Sequence, residues 1–259
     1  MYKYIDIHAH LNFEDYDEDR EEVFNRAKEN ETLMINVGTG KESSEEAVKL
    51  ADQYENAYAI IGLHPTHDED FDYEFYKELG QNKKVVGIGE CGLDYFRLDE
   101  NNKEEQIQKQ KNNFIRQIEL ALELDKPLMI HCREAYVDVL EILSACKKVH
   151  GDKLRGNFHF YAGDIKTAQK ILDLGFTMSF TGVITFAKEY EELVKFIPIE
   201  KIHSETDCPF VTPVPYRGKR NEPVYVKEVV KKIAEIKGLS EAETAEILFK
   251  NSINFYNII

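Results

Sequence analysis

Short apolar runs alternate with longer amphipathic segments from one end of this 259-residue chain to the other. A short apolar run bounded by polar residues is typical of a buried strand, and apolar residues at every third or fourth position are typical of a helix. Eight apolar runs predict strands at Tyr4–Ile7, Leu33–Val37, Tyr58–Ile61, Val85–Gly89, Leu128–Ile130, Gly156–Phe158, Thr177–Phe180 and Ile202–Ser204. The amphipathic segments predict helices at Asp19–Asn30, Ser43–Tyr54, Glu104–Leu124, Ala135–Val149, Ile165–Leu174, Glu189–Phe196, Val224–Lys237 and Ser240–Ile258.

This alternation limits the fold to α/β architectures with a parallel sheet. Eight strands, each followed by a helix or a long connection, fit a (β/α)₈ barrel better than a doubly wound sheet. The sequence has no glycine-rich phosphate-binding motif after the first strand, which also argues against a dinucleotide-binding sheet. We therefore predict one domain over residues 1–259, a (β/α)₈ TIM barrel of the metal-dependent hydrolase type, in which the 42% of hydrophobic residues supply the core.

Charge and hydropathy restrict the partners of the protein. A net charge of -15 argues against a broad basic face for nucleic acid. It leaves a phosphodiester substrate possible, because metal ions and a few local basic side chains attract phosphate into a cleft of an acidic protein. The apolar runs fall well short of the roughly 20 residues of a membrane span, and the N-terminus lacks a signal-peptide pattern. We expect a cytoplasmic monomer that does not bind membranes.

Six side chains that are able to bind metal ions follow the predicted strands. Two of them, His8 and His10, lie one residue apart, and the two-residue period of a strand directs both imidazoles to one face. In a (β/α)₈ barrel the carboxyl ends of the strands converge on one face, where catalytic residues collect. The candidate ligands, in chain order, are His8, His10, Glu90, His131, His159 and Asp207.

This set of four imidazoles and two carboxylates predicts a site for two divalent ions. Two ions about 3.5–4 Å apart lower the pKa of a bound water toward about 7 and supply hydroxide at neutral pH. Glu90 ends a buried strand, where a carboxylate is costly unless it is paired or bound to metal. Asp207 is the candidate general base, because a carboxylate beside the ion is able to accept the proton of the attacking water.

Six segments resemble, in order, the motifs of the TatD-related metal-dependent deoxyribonucleases, which are amidohydrolase-type barrels. They are Asp6–Leu11, Gly62–Pro65, Gly89–Tyr95, Ile130–Ala135, Glu205–Pro209 and Arg217–Pro223. One block departs from the family pattern. Where the family usually reads His-Cys-Phe-Ser-Gly, this chain reads His-Phe-Tyr-Ala-Gly at 159–163, which keeps the histidine and changes its neighbours.

The resemblance implies a ligand set, a reaction and a substrate. Asp207 and the two histidines of the first strand would hold one ion, His131 and His159 would hold the other, and Glu90 would bridge them as a catalytic ligand. The reaction would be hydrolysis of DNA phosphodiesters, of single strands or 3′ ends, with Mg²⁺ or Mn²⁺. Four imidazoles suit Zn²⁺, Ni²⁺ or Fe equally well, so the identity of the ion stays open.

Two other functions fit the same barrel. The first is hydrolysis of a small amide, lactone or phosphoester at the same binuclear site. Glu90 stands where binuclear amidohydrolases often carry a modified lysine, which favours the phosphodiester. The second is non-catalytic metal binding, which the presence of every candidate ligand disfavours.

Three polar residues near the candidate ligands have open roles. His64 either contacts a substrate phosphate or caps its loop. Arg133 either binds a phosphate through two hydrogen bonds or pairs with a neighbouring carboxylate. Glu205 is more suited to orienting a ligand histidine than to catalysis.

Aromatic and basic residues near the predicted barrel mouth are further candidate substrate contacts. Tyr95 and Tyr161 either stack on a base or pack in the interior. Arg217, Lys219 and Arg220 form a concentrated basic segment after the eighth strand. This segment either binds a phosphate backbone or is a solvated loop.

Overall fold

The computed structural model describes residues 2–96 and 98–258 of the chain. Eight parallel strands form one sheet in chain order. They are β1 (Tyr4–Ala9), β2 (Thr32–Val37), β3 (Ala57–Ile61), β4 (Val85–Asp94), β5 (Leu128–Arg133), β6 (Gly156–Phe158), β7 (Thr177–Phe180) and β8 (Ile202–Ser204). The α-helices in these ranges are α1 (Arg20–Glu29), α2 (Lys41–Gln53), α3 (Tyr73–Leu79), α4 (Lys103–Glu123), α5 (Tyr136–His150), α6 (Ile165–Asp173), α7 (Glu191–Phe196), α8 (Val226–Lys237) and α9 (Glu241–Tyr256).

The predicted (β/α)₈ barrel is confirmed, with differences in the length of some elements. β4 and β5 run on to Asp94 and Arg133, so that two candidate ligands lie inside strands rather than at their ends. Helix α3 was not predicted, because seven residues are too few for a helical period to be visible. Its N-terminus is nevertheless capped, since the side chain of Asp72 accepts a hydrogen bond from the backbone N–H of Phe75. No helix in the described ranges is long and apolar enough to cross a membrane.

The buried apolar side chains of β1 to β5 pack against one another and against the end of the chain. Their residues include Ile5 and Ile35, and the group is completed by Tyr256 at the end of α9 and by Ile258 after it. A larger apolar cluster joins the strands to the surrounding helices. Because both faces of the strands are covered, their sequences are nearly continuous apolar runs, as is usual for parallel sheets.

Hydrogen bonds join β1 to the segment that follows β8 and bring the ends of the sheet together. The N–H of Asp207 donates to the carbonyl of His8 at 2.9 Å. The buried carboxylate of Asp6 accepts from the N–H of Thr206 at 2.9 Å and from the N–H of His8 at 3.2 Å. This closure sets Asp207 beside the histidines of β1.

A buried histidine of β8 lies away from the barrel mouth and makes stability depend on pH. His203 of β8 is 1% exposed, and its Nδ1 lies 2.9 Å from the hydroxyl of Ser252 in α9. Burial lowers its pKa to about 3. The folded protein therefore takes up this proton less readily than the unfolded chain, whose imidazole has a pKa of about 6.5. This contribution to stability is present above pH 6.5 and is lost as the pH falls toward 3.

Replacing His203 by Gln is expected to reduce this acid sensitivity. Between pH 7 and pH 5.5 the wild-type protein should lose about 1 kcal/mol more unfolding free energy than His203→Gln, because only the wild type must take up the proton on unfolding. Urea unfolding of both proteins at the two pH values measures the difference. Equal losses in the two proteins would contradict the assignment.

Candidate metal centre

The imidazoles of His8 and His10 converge at the carboxyl end of β1. Their Nε2 atoms are 3.0 Å apart, and they lie 3.8 Å and 3.6 Å from Oδ1 of Asp207. Nδ1 of His10 donates to the carbonyl of Val37 at 2.9 Å, which leaves a lone pair on Nε2. The three side chains therefore offer two nitrogens and one oxygen within reach of a single ion.

The carboxylate of Glu90 lies between this group and a second group of imidazoles. Its Oε1 is 2.8 Å from Nε2 of His159 and 2.9 Å from Nδ1 of His131. Its Oε2 is 3.4 Å from Nε2 of His8 and 4.0 Å from Nε2 of His10. The two oxygens of one carboxylate thus face two different sets of ring nitrogens.

An irregularity in β4 presents Glu90 to the barrel mouth. The register of β4 against β5 shifts between Ile88 and Cys91. Gly89 has a φ of +152°, and a Cβ there would lie 2.5 Å from the carbonyl oxygen of Met129. This position therefore accepts only glycine, and the irregular part of the strand includes Glu90.

Burial and mutual contacts favour the ionised form of Glu90 and Asp207 and the neutral form of His8. Burial would raise the pKa of Glu90, but the charge of His159 and the surrounding hydrogen bonds hold it well below its usual value. At Asp207, burial raises the pKa of the carboxyl group and the hydrogen bond from His10 lowers it, and the net result is a lowered pKa. Burial lowers the pKa of His8. Burial would also lower the pKa of His159, but the charge of Glu90 and the contacts with Glu205 and Glu90 raise it well above its usual value. Ionised carboxylates and a neutral imidazole are the forms that bind metal ions.

The unpaired buried nitrogens and the chemistry of the donor set are also compatible with metal binding. Among the described residues, Nδ1 of His8 and Nδ1 of His159 are buried nitrogens without a hydrogen-bond partner. The carboxylate of Glu205 lies 3.7 Å behind Nδ1 of His159, where it accepts from the hydroxyl of Ser179 at 2.7 Å. Imidazole nitrogens and carboxylate oxygens are common ligands of divalent metals, so the cluster is compatible with metal binding.

His64 lies closer to the second group of imidazoles than the sequence indicated. Its Nε2 is 3.4 Å from Oε1 of Glu90, and its ring meets that of His131 at 4.4 Å between centroids. Burial lowers the pKa of His64, although Glu90 opposes the effect. With these two residues, His64 forms a third set of atoms that are able to hold an ion, which the sequence analysis did not anticipate.

Asp94 is a functional candidate that sequence reasoning missed. Its Oδ2 lies 3.0 Å from Nε2 of His131, on the side of the ring away from Glu90. Burial alone would lower the pKa of His131, but the hydrogen bonds to Asp94 and Glu90 raise it. The available signal was a carboxylate that ends a fully buried strand, four residues after Glu90.

The two groups open into a cleft of about 640 Å³ at the carboxyl ends of the strands. Its lining includes two of the predicted substrate contacts, His64 and Arg133. Tyr95 instead donates its hydroxyl to Asp138 at 2.6 Å, and Tyr161 is 1% exposed. The structure therefore favours packing over base stacking for these two tyrosines.

The basic segment after β8 is dispersed rather than gathered at the cleft. Arg220 pairs with Asp19 at 2.6 Å, and the guanidinium of Arg217 lies 4.0 Å from the ring centre of Phe186. Lys219 is exposed on the same loop. Among the described residues that line the cleft, none comes from these three, so the solvated-loop interpretation fits them better.

Comparison with known proteins gives a consistent family. A family model described as TatD related DNase matches residues 5–257. The uncharacterized metal-dependent hydrolase YabD of Bacillus subtilis (strain 168) is 42% identical over 259 residues, with 98% of each chain covered. The uncharacterized metal-dependent hydrolase YcfH of Escherichia coli (strain K12) is 32% identical, with 98% of this chain and 96% of that protein covered.

Solved structures share the fold over the whole length. The TatD homolog YJJV from Escherichia coli K12 superimposes with a TM-score of 0.89 at 24% identity, covering 99% of both chains. A hydrolase of the TatD family from Entamoeba histolytica gives a TM-score of 0.84 at 26% identity, covering 98% of both chains. With a family match across residues 5–257 and relatives similar along almost their whole length, this chain belongs to the TatD-related DNase family of metal-dependent hydrolases.

Proposed function

We propose that this protein hydrolyses DNA phosphodiester bonds at a site for two divalent ions bridged by Glu90. The observation that carries the proposal is the position of the Glu90 carboxylate, whose two oxygens face separate groups of imidazoles. A bridging carboxylate of this kind suits two ions about 3.5–4 Å apart, the spacing of two-metal phosphodiesterases. The family match supports DNA as the substrate.

The proposed ligands divide between the two ions. One ion would be held by Asp207 and the histidines of β1, and the other by His131 and His159, with Glu90 shared. When bound, such ions lower the pKa of a coordinated water and neutralise charge on a phosphate. Mg²⁺, Mn²⁺ and Zn²⁺ are the candidate ions, and the imidazoles favour the last on ligand preference alone.

Asp207 is the proposed general base. Its lowered pKa keeps the carboxylate ionised at neutral pH, so it is able to accept the proton of the attacking water. Its backbone is held by the hydrogen bond to His8, and the side chain lines the cleft. Asp94 would hold the ring of His131 in one orientation, as carboxylates behind metal-binding histidines generally do.

His64 and Arg133 are the proposed phosphate contacts on the cleft wall. Arg133 is exposed at the end of β5 and offers a planar guanidinium, which is suited to two parallel hydrogen bonds with a phosphate. Together with the metal ions, these side chains would make a local positive site on a protein of net charge -15.

The test is hydrolysis of a labelled single-stranded DNA oligonucleotide by metal-stripped protein to which Mg²⁺, Mn²⁺ or Zn²⁺ is restored. An RNA of the same sequence and small lactones, amides and phosphoesters are assayed beside it. We expect metal-dependent cleavage of the DNA, with a product ladder that distinguishes removal of terminal nucleotides from internal cuts. Stoichiometric metal uptake without cleavage of DNA, together with turnover of a small ester or amide, would favour the alternative function.

Replacing Asp94 by Asn is expected to weaken metal binding by about 10- to 100-fold, because the ring of His131 loses the carboxylate that orients it. Isothermal titration of metal-stripped protein with Mn²⁺ or Zn²⁺ measures the change. The matched control is Asp138→Asn, which removes a carboxylate of α5 that pairs with Lys111 at 2.7 Å. Equal affinities in the Asp94 variant and the control would exclude the orienting role.

A further inference from the structure

Two phenylalanines are half exposed at the mouth of the barrel. Phe210 is 52% exposed and lines the cleft, three residues after Asp207. Phe96 is 50% exposed and follows the last residue of β4 by two positions. Burying a phenylalanine is favourable, so two exposed rings beside a candidate active site indicate a surface for a ligand with an apolar face.

The backbone of Phe210 is held in place by buried hydrogen bonds. Its N–H donates to the carbonyl of Asp207 at 2.9 Å. Its carbonyl accepts from Nδ2 of Asn221 at 2.6 Å, and the same nitrogen donates to the carbonyl of Thr206 at 3.0 Å. Asn221 is fully buried. The ring therefore projects from a hydrogen-bonded turn, three residues after the proposed general base.

Phe96 is tied to the other side of the centre. Its N–H donates to Oδ1 of Asp94 at 2.9 Å, and the other oxygen of that carboxylate contacts His131. The guanidinium of Arg133 lies 3.6 Å from the centre of the Phe96 ring, in a cation–π contact. An aromatic ring and the proposed phosphate-binding arginine thus form one unit at the cleft.

The two phenylalanines follow strands on opposite sides of the barrel. β4 and β8 are four strands apart in a closed order of eight, so the segments that follow them face each other across the centre. An anion-binding site between two aromatic faces is the arrangement that binds a single-stranded nucleic acid, because every base has a face that stacks and every linkage carries a negative charge.

We propose that Phe210 and Phe96 each stack on an unpaired nucleobase, one on each side of the phosphodiester held at the metal centre. This inference rests on the proposed function and assigns two residues that contact its substrate. Bases in a duplex are stacked on their neighbours and have no free face to offer, which agrees with the single-stranded substrate that the family resemblance implies.

The experiment compares Phe210→Ala and Phe96→Ala with wild-type protein on a single-stranded oligonucleotide. Loss of a stacking ring is expected to raise KM by roughly 5- to 100-fold with a smaller change in kcat. Phe210→Trp should retain the wild-type KM. The control is Phe196→Ala, since that ring is 38% exposed at the end of α7 and does not line the cleft.

Oligonucleotides with an abasic site on either side of the cleaved bond test the stacking itself. The abasic site should raise the KM of the wild type as much as the alanine substitution does, and should add little in the variant. 2-Aminopurine, a base analogue whose fluorescence falls on stacking, is placed at the same position. Its fluorescence should be quenched by the Asp207→Asn protein and not by the double variant that carries Asp207→Asn and Phe210→Ala.

Each outcome bears on one of the two proposals. Cleavage by the wild type with an unchanged KM in both alanine variants, and no effect of the abasic site, would overturn the stacking proposal and leave the proposed function standing. A wild type that cleaves no oligonucleotide contradicts the proposed function, and the stacking proposal falls with it. If Phe210→Ala changes the sedimentation of the protein and not its KM, the ring contacts a second copy of the chain instead.

Discussion

The variant Asp207→Asn should hydrolyse single-stranded DNA about 10³-fold more slowly than the wild type at saturating metal, the size expected for loss of a general base. Asn has nearly the same shape, so the backbone hydrogen bond between Asp207 and His8 should persist. The side chain no longer ionises and cannot accept the proton of the attacking water. Single-turnover rates at a fixed metal concentration measure the effect.

The control for this prediction separates loss of catalysis from loss of fold. Asp207→Asn should still unfold cooperatively in urea, because its buried neighbours and its backbone hydrogen bond to His8 are unchanged. Asp138→Asn, on the outer helix α5, should retain full activity. A rate above one tenth of the wild-type rate in Asp207→Asn would show that another group accepts the proton.

Replacing Glu90 by Gln is expected to reduce the number of tightly bound ions from two to one and to abolish most of the activity. The amide keeps the size of the side chain but presents only one acceptor oxygen, so it cannot bridge. In the wild type, one oxygen of Glu90 contacts His159 and the other contacts His8, and the variant would no longer offer a carboxylate oxygen to both groups. Equilibrium dialysis followed by elemental analysis counts the ions.

The comparison protein for this count is Glu31→Gln, in which an exposed carboxylate paired with Lys3 is removed. It should bind as many ions as the wild type. Two tightly bound ions in Glu90→Gln would contradict the bridging role, even if activity were lost. One ion in the wild type would contradict the two-ion site itself.

The fold was predictable from local pattern, because each buried strand of a parallel barrel is a separate apolar run. The grouping of Asp207 with the two histidines of β1 was implied by the family resemblance, and it agrees with a closed barrel in which β1 and β8 are neighbours. Helix α3 was missed because a seven-residue helix is defined mainly by its cap at Asp72 and its packing, neither of which a periodic pattern reveals.

The finer parts of the site depended on tertiary contacts. The register shift in β4 and the position of His64 beside Glu90 arise from pairing with neighbouring strands and loops. The basic residues after β8 looked like a phosphate-binding patch, but Arg220 is neutralised by Asp19, which lies just before α1 and 201 residues away along the chain. The number of basic residues can be counted in a sequence, but the acidic residues that pair with them are known only from the folded structure.

The most direct test of the two-ion site is anomalous X-ray scattering from crystals of metal-stripped protein soaked in Mn²⁺. Two peaks about 3.5–4 Å apart are expected in the cleft, one beside His8 and the other beside His131, with Glu90 between them. A single peak on one side of Glu90, or two peaks outside the cleft, would contradict the two-ion site.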